Sequence, residues 1–156
     1  MATTPRTPAA TTLTSPASRE LLKDVARAMF PHPSFPDAPY ERAVGTILDA
    51  AEADVRLRAQ LEQGLRDVDV VGGRPFADLD DAARLAVLRS MERTAFFEHI
   101  RTRLVTGLYD QKPVWDLLGY EGPCPDGNGY LDRGFDDLDW LPDPQIVDPH
   151  RDEILR

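Results

Sequence analysis

A chain of 156 residues with a formal charge of −9 and an isoelectric point near 4.7 lacks the cationic footprint that phosphate backbones and anionic membranes require. Neither nucleic acid nor a lipid surface is therefore expected as its main partner. With 42% hydrophobic and 29% charged residues the composition fits one domain with a modest core. A single cysteine, Cys124, excludes an internal disulfide framework and any multi-cysteine metal site. Set between Pro123 and Pro125, it reads as a plain thiol, with an intermolecular bridge as the alternative.

The opening residues, "MATTPRTPAATTLTSPAS", hold one arginine, no twin-arginine pair and no apolar h-region, and are expected to form a disordered leader over residues 1–15. On that reading the expected location is the cytoplasm, or the periplasm if a signal has been removed. No run approaches the ~20 apolar residues of a membrane span. Ser15-Pro16 offers a capping hydroxyl followed by a proline that the first helical turn tolerates. Leu21, Leu22, Val25 and Met29 then recur at helical spacing. The prolines of "FPHPSFPDAP" end that helix. A second helix is expected to bury Tyr40, Val44, Ile47, Leu48 and Ala51. Asp54 caps a third, with Val55, Leu61, Leu65 and Val68 inward and Gly64 as an interruption.

"VVGGRP" reads as a turn. Asp78 is expected to open the next helical run, which exceeds 25 residues and so breaks near Ser90–Thr94 into two helices. Phe96, Phe97, Ile100, Leu104 and Leu108 form the apolar stripe of the second. Pro113 starts a further short turn of helix with Trp115 and Leu117 or Leu118 on one side. Gly119 ends it in a left-handed conformation, and Gly122-Pro123 redirects the chain. No window alternates as a strand would. The expected fold is all-α: a bundle of about five helices over residues 16–120, followed by an extended, irregular C-terminal arm over residues 121–156.

The chemistry-bearing residues are sparse. His32, His99 and His150 stand apart, and Glu98-His99 completes neither HExxH nor ExxH, so no metal ligand is expected and His99 reads as a solvated or locally bonded histidine. "DGNGYLDRGFDD" (126–137) places Asp126 and Asn128 where a calcium loop wants them. Its fifth and sixth positions are Tyr130 and Leu131, where an oxygen ligand and a glycine belong. GxSxG, Walker-type and GxGxxG glycine patterns are all missing. No catalytic or cofactor-binding residue is expected in this chain.

The stretch "AFFEHIRTRLVTGLYDQKPVWDLLGYEGP" (95–123) resembles the signature end of the gluconate 2-dehydrogenase small-subunit (subunit 3) family. The likeness is carried by the paired aromatics, the Gly-Tyr step and Leu118-Gly119-Tyr120-x-Gly122-Pro123. It extends weakly back through "QLEQGLRDVD" and "PFADLDDAARLAVLRSMER", covering about 100 residues in all. The resemblance implies a non-catalytic small subunit in a hetero-oligomer with a large flavoprotein of the glucose-methanol-choline (GMC) class. That partner would hold FAD and oxidise a sugar, sugar acid or polyol, and the small subunit would serve its maturation, stability or export. Many members of the family begin with a twin-arginine signal, from which this chain departs. The residues themselves point to a partner as well. Tyr109, Trp115 and Tyr120 lie close together, and Phe135 and Trp140 follow in a Pro/Gly-rich arm. Tyrosine and tryptophan are enriched in interface hot spots because each buries a large area with few rotors. The interface expected is Phe96, Phe97, Tyr109, Trp115, Leu118, Gly119, Tyr120, Phe135 and Trp140. Two other classes stay open: a stand-alone helical adaptor or folding factor, and a small enzyme or calcium-binding protein built on the Asp126 loop.

Overall fold

The computed structural model describes residues 12–120, 122 and 123. The chain divides into two units, Met1–Tyr120 and Glu121–Arg156. The first is a helical bundle: α1 (Pro16–Met29), α2 (Asp37–Ala53), α3 (Val55–Gly72), α4 (Asp81–Ser90), α5 (Ala95–Tyr109) and α6 (Lys112–Leu118), with a 3-10 turn at Phe76–Asp78. No strand occurs among the described residues, and no described helix is long and apolar enough to cross a membrane. In the second unit only Gly122 and Pro123 are described, and Gly122 takes a φ of +98°.

Short polar side chains start most of these helices by accepting from backbone N–H groups that would otherwise lack a partner. Ser15 Oγ accepts from the Ser18 N–H at 3.1 Å, and Asp80 from the Ala83 N–H at 2.8 Å. Thr94 does the same for Phe97 at 3.2 Å. Asp54 is the whole connection between α2 and α3. Its carboxylate receives the N–H groups of Arg56 and Leu57 at 2.8 and 3.1 Å. Arg58 reaches back to the carbonyls of Ala51 and Glu52 at 3.3 and 2.9 Å. Both orphaned helix ends at this corner are thus satisfied by two neighbouring side chains. Between α1 and α2, Arg27 lies 4.4 Å over the Tyr40 ring, donates to the Phe35 carbonyl and pairs with Asp37. That guanidinium holds the Asp37 carboxyl below the usual carboxylate range.

α2 is the central helix, packed on α1, α3 and α5. It buries Tyr40, Ala43, Val44, Ile47, Leu48 and Ala51, as its spacing predicts. α5 supplies Ile100, Leu104 and Leu108, α1 supplies Leu22, Val25 and Ala26, and Phe76 of the 3-10 turn is fully buried. α4 closes the bundle against α1 and α3, and α6 packs on α5 through Val114.

Several expectations need correction. The fold begins before residue 16: Leu13 is buried and its N–H donates to Glu62 at 3.2 Å. Asp78 lies in the 3-10 turn, and Asp80 is the residue that caps α4. Val55 is 76% exposed and Leu57 takes its place inside. The reason is phase: six residues from Leu61, Val55 falls about 240° round the helix, whereas Leu57 is one turn away. Gly64 does not interrupt α3, which runs on through Gly72 before Gly73 closes it at a φ of +68°.

Gly64 is instead a notch for Phe96. A Cβ added there would stand 2.1 Å from the Phe96 ring, well inside any tolerable contact. At Gly107, where α5 meets α2, an added Cβ would find Ala43 at an ordinary 3.7 Å. The two glycines should therefore answer oppositely to alanine. Gly64→Ala should destabilise by about 1–3 kcal/mol through overpacking. Gly107→Ala should be neutral or stabilise by up to about 1 kcal/mol through helix propensity. Urea denaturation of both variants checks this, and equal losses would contradict it.

Candidate protein-interaction surface

The end of the bundle is organised by Gln111. α5 stops at Tyr109, and Gln111 turns the chain into α6. Its Nε2 donates to the carbonyls of Gly107 and Pro39 at 2.7 and 2.9 Å. Its Oε1 accepts from Arg42 Nε at 2.7 Å. One amide thereby ties the α5–α6 corner to the first turn of α2. Nothing in the sequence marks it, because its partners on α2 lie 69 and 72 residues away in the chain and a loop glutamine has no pattern of its own.

The two ends of α6 lie where its residues predict, but its inward side does not: Val114 is buried, Trp115 is half-buried, and Leu117 and Leu118 face solvent. Pro113 occupies the first turn, where its missing N–H costs nothing. Gly119 adopts φ +72°, its N–H directed to the Asp116 carbonyl at 3.4 Å and that of Tyr120 to Trp115 at 2.8 Å. This is a Schellman closure, which needs the left-handed residue that glycine supplies without a Cβ clash. Lys112 and Asp116 pair one turn apart along the helix.

Around this corner the aromatic side chains form a connected cluster. Trp115 Nε1 donates to the Tyr109 carbonyl at 2.6 Å, and its ring meets Tyr120 edge-on at 5.5 Å and 80°. The Tyr109 hydroxyl shares a hydrogen bond with His32 Nε2 at 2.6 Å. The Tyr109 ring stands edge-on to Phe30 at 6.0 Å, and His32 stacks on Phe35 at 4.4 Å. The α1–α2 loop and the α5–α6 corner thus meet through aromatic contacts and one partly buried hydrogen bond.

Sorted by exposure, the expected interface residues divide. Phe96 is 4% exposed, held against Gly64 inside the bundle, so it is a core residue and not a surface anchor. Tyr109 and Trp115 are half-buried and engaged within the chain. Leu118, at 54% exposure, and Tyr120, at 43%, face solvent beside the likewise exposed Leu117. Val114, which no periodicity marks in so short a helix, is the α6 residue that is fully buried. Phe97 points away from Phe96 and lines a separate groove of about 290 Å³ between α1, α4 and α5. Phe135 and Trp140 lie outside the described residues, as do Cys124, His150 and the Asp126 loop.

His99 is not a solvated histidine. Its Nε2 is buried and has no hydrogen-bond partner among the described residues. Burial first, and the Arg103 charge second, push its pKa below the ordinary value, against a smaller opposing pull from Asp54. Among the described residues no group of three or more His, Cys, Asp or Glu side chains comes together in a way that could hold a metal ion. No family model matches this chain, and neither the curated proteins nor the solved structures give a significant match.

Trp115 and Leu118 should separate cleanly in a stability measurement. Trp115→Ala removes a half-buried ring and the Tyr109 hydrogen bond, and should cost about 2 kcal/mol of unfolding free energy. Leu118→Ala should stay within about 0.5 kcal/mol, as surface changes do. Comparable melting temperatures for the two variants would contradict the assignment of Trp115 to the inside.

His99 predicts a pH dependence with a definite sign. Its folded pKa lies below the 6.5 of an unfolded histidine, so the unfolded chain binds the proton more readily. Its contribution to stability is complete above about pH 6.5 and declines as the pH falls toward the folded pKa. Urea midpoints measured from pH 7.5 down to pH 5 should fall more steeply in the natural protein than in His99→Gln. Parallel profiles would contradict the burial of a neutral imidazole.

Proposed function

We propose that this chain is a non-catalytic small subunit that binds, stabilises and helps mature a large FAD-dependent oxidoreductase of the GMC class, acting on a sugar, sugar acid or polyol. Two kinds of support converge on the same residues. The resemblance to the gluconate 2-dehydrogenase subunit 3 family is most specific at Leu118-Gly119-Tyr120-x-Gly122-Pro123. The observation that carries the reading is that this element presents Leu117, Leu118 and Tyr120 to solvent from a corner held by Gln111 and closed by Gly119.

Exposed apolar side chains on a pre-ordered corner are suited to association. A preorganised surface loses less conformational entropy on binding than a flexible one, so more of the burial energy survives as affinity. Leucine and tyrosine side chains there would supply the buried centre of an interface while the neighbouring charges form its rim. In this reading flavin and catalysis belong to the partner, and the contribution of this chain is to cover and fix apolar surface on it.

Co-expression with a GMC-type flavoprotein from the same source tests the proposal. The expected result is a complex of fixed stoichiometry in size-exclusion chromatography, with flavin absorbance travelling with the large subunit. Leu118→Asp with Tyr120→Ser should leave the small subunit folded and weaken the complex at least about tenfold, the equivalent of about 1.4 kcal/mol. A flavoprotein that folds, loads flavin and works equally well without this chain would contradict the reading. Association only until flavin is loaded would assign the chain to the transient folding factors instead.

A further inference from the structure

The groove that Phe97 enters has a chemistry of its own. Its floor is apolar, made by Met29 and Phe30 of α1 and its end, Leu85 and Leu88 of α4, and Phe97 of α5. A second groove of about 540 Å³ shares Ala28 and Leu85 with it and continues past His32. Together they make one trough with Leu85, 43% exposed, at its middle.

The charges along this trough differ from those of the chain as a whole. Arg27, Arg84, Arg89 and Arg101 line it, against two carboxylates, Asp81 and Glu92. The full chain carries −9. Arg27 is paired with Asp37, and Arg84 donates to the Phe76 and Ala77 carbonyls at 3.2 and 2.7 Å. The guanidinium groups of Arg89 and Arg101, on facing helices across the apolar floor, have no ion pair or hydrogen bond among the described residues. Covering such a floor draws both arginines out of water, and an occupant without carboxylates would leave them uncompensated.

The walls also select the form of the occupant. They are side chains of three helices together with Pro31, His32 and Pro33 of the α1–α2 loop, and no strand is present among the described residues to offer a backbone edge. An extended peptide would therefore leave its own N–H and C=O groups unpaired against the floor. A helix satisfies its backbone internally and binds through side chains alone.

We infer that the trough between α1, α4 and α5 is the docking site for an amphipathic helix of the partner protein, with a row of large apolar side chains flanked by Asp or Glu. This deepens the accessory-subunit reading and rests on it for the existence of that partner. Leu85 and Phe97 meet the apolar row, and Arg89 and Arg101 meet the flanking carboxylates from opposite sides.

The test uses the full chain and three fluorescein-labelled synthetic helical peptides, each about four turns long. All have the same leucine row, and the flanks are glutamate, glutamine or lysine. Fluorescence anisotropy should rank them glutamate, glutamine, lysine, with at least about a tenfold span that narrows as salt screens the charges. Arg89→Glu with Arg101→Glu, both on the exposed surface, should invert the order while leaving the chain folded, with at most a small drop in melting temperature from the charge reversal in the last turn of α4. Leu85→Asp should weaken all three peptides. No binding of the glutamate peptide, or an order that survives the charge reversal, would overturn the inference. The peptide assay needs no flavoprotein. If the chain co-purifies with the flavoprotein while the glutamate peptide fails, the docking site falls and the accessory reading stands. If charge-dependent peptide binding occurs without co-purification, the docking chemistry stands and the oxidoreductase reading falls.

Discussion

Three hydrogen bonds made by the amide of Gln111 decide what this end of the helical bundle presents to solvent. Two go to the carbonyls of Gly107 and Pro39 and one comes from Arg42. Without them α6 would have only Val114 and the Trp115 ring to hold it, and a seven-residue helix is far too short to persist by itself. With them, the last turn of α5, the first turn of α2 and the start of α6 form one joint. The described residues as far as Tyr120 inherit its direction: the Schellman closure at Gly119, the exposure of Leu118 and Tyr120, and the contact of Trp115 with Tyr109.

A second constraint works at the opposite end of α5. Adjacent phenylalanines on a helix point about 100° apart, so one helix can serve two surfaces. Phe96 goes into the notch at Gly64 and fastens α5 to α3, while Phe97 lies in the trough beside Leu88 and Met29. The paired aromatics that make this stretch resemble a small-subunit signature therefore divide the labour between holding the bundle together and lining a groove. An apolar pair in sequence is not one feature in space.

Local chemistry was legible in the residues and tertiary chemistry was not. Ser15, Asp54 and Gly119 could be read as helix ends because capping depends only on neighbours within one turn. The inward face of α2 could be read because five apolar residues keep a strict helical period. Gly64 looked like a flaw in α3, since the ring that needs its bare backbone comes from 32 positions further on. Gln111 carried no signal for the same reason. His99 looked solvated on a charged helix, and its burial is a consequence of neighbours that no periodicity names. The acid-rich arm with Phe135 and Trp140 was read from composition, and those residues lie outside the ones the structure describes.

The account stands on a corner that is already formed before any partner arrives. Hydrogen–deuterium exchange on the isolated chain and on its mixture with the flavoprotein measures this most directly. The account predicts that amides from Val114 to Tyr120 exchange slowly in the isolated chain, because their bonds to Gln111, Trp115 and Asp116 carbonyls exist there. It predicts further slowing in the mixture at Leu117–Tyr120 and along the groove-facing parts of α4 and α5. Exchange of residues 114–120 at the rate of an unfolded peptide in the isolated chain, or no change there on mixing, would contradict it.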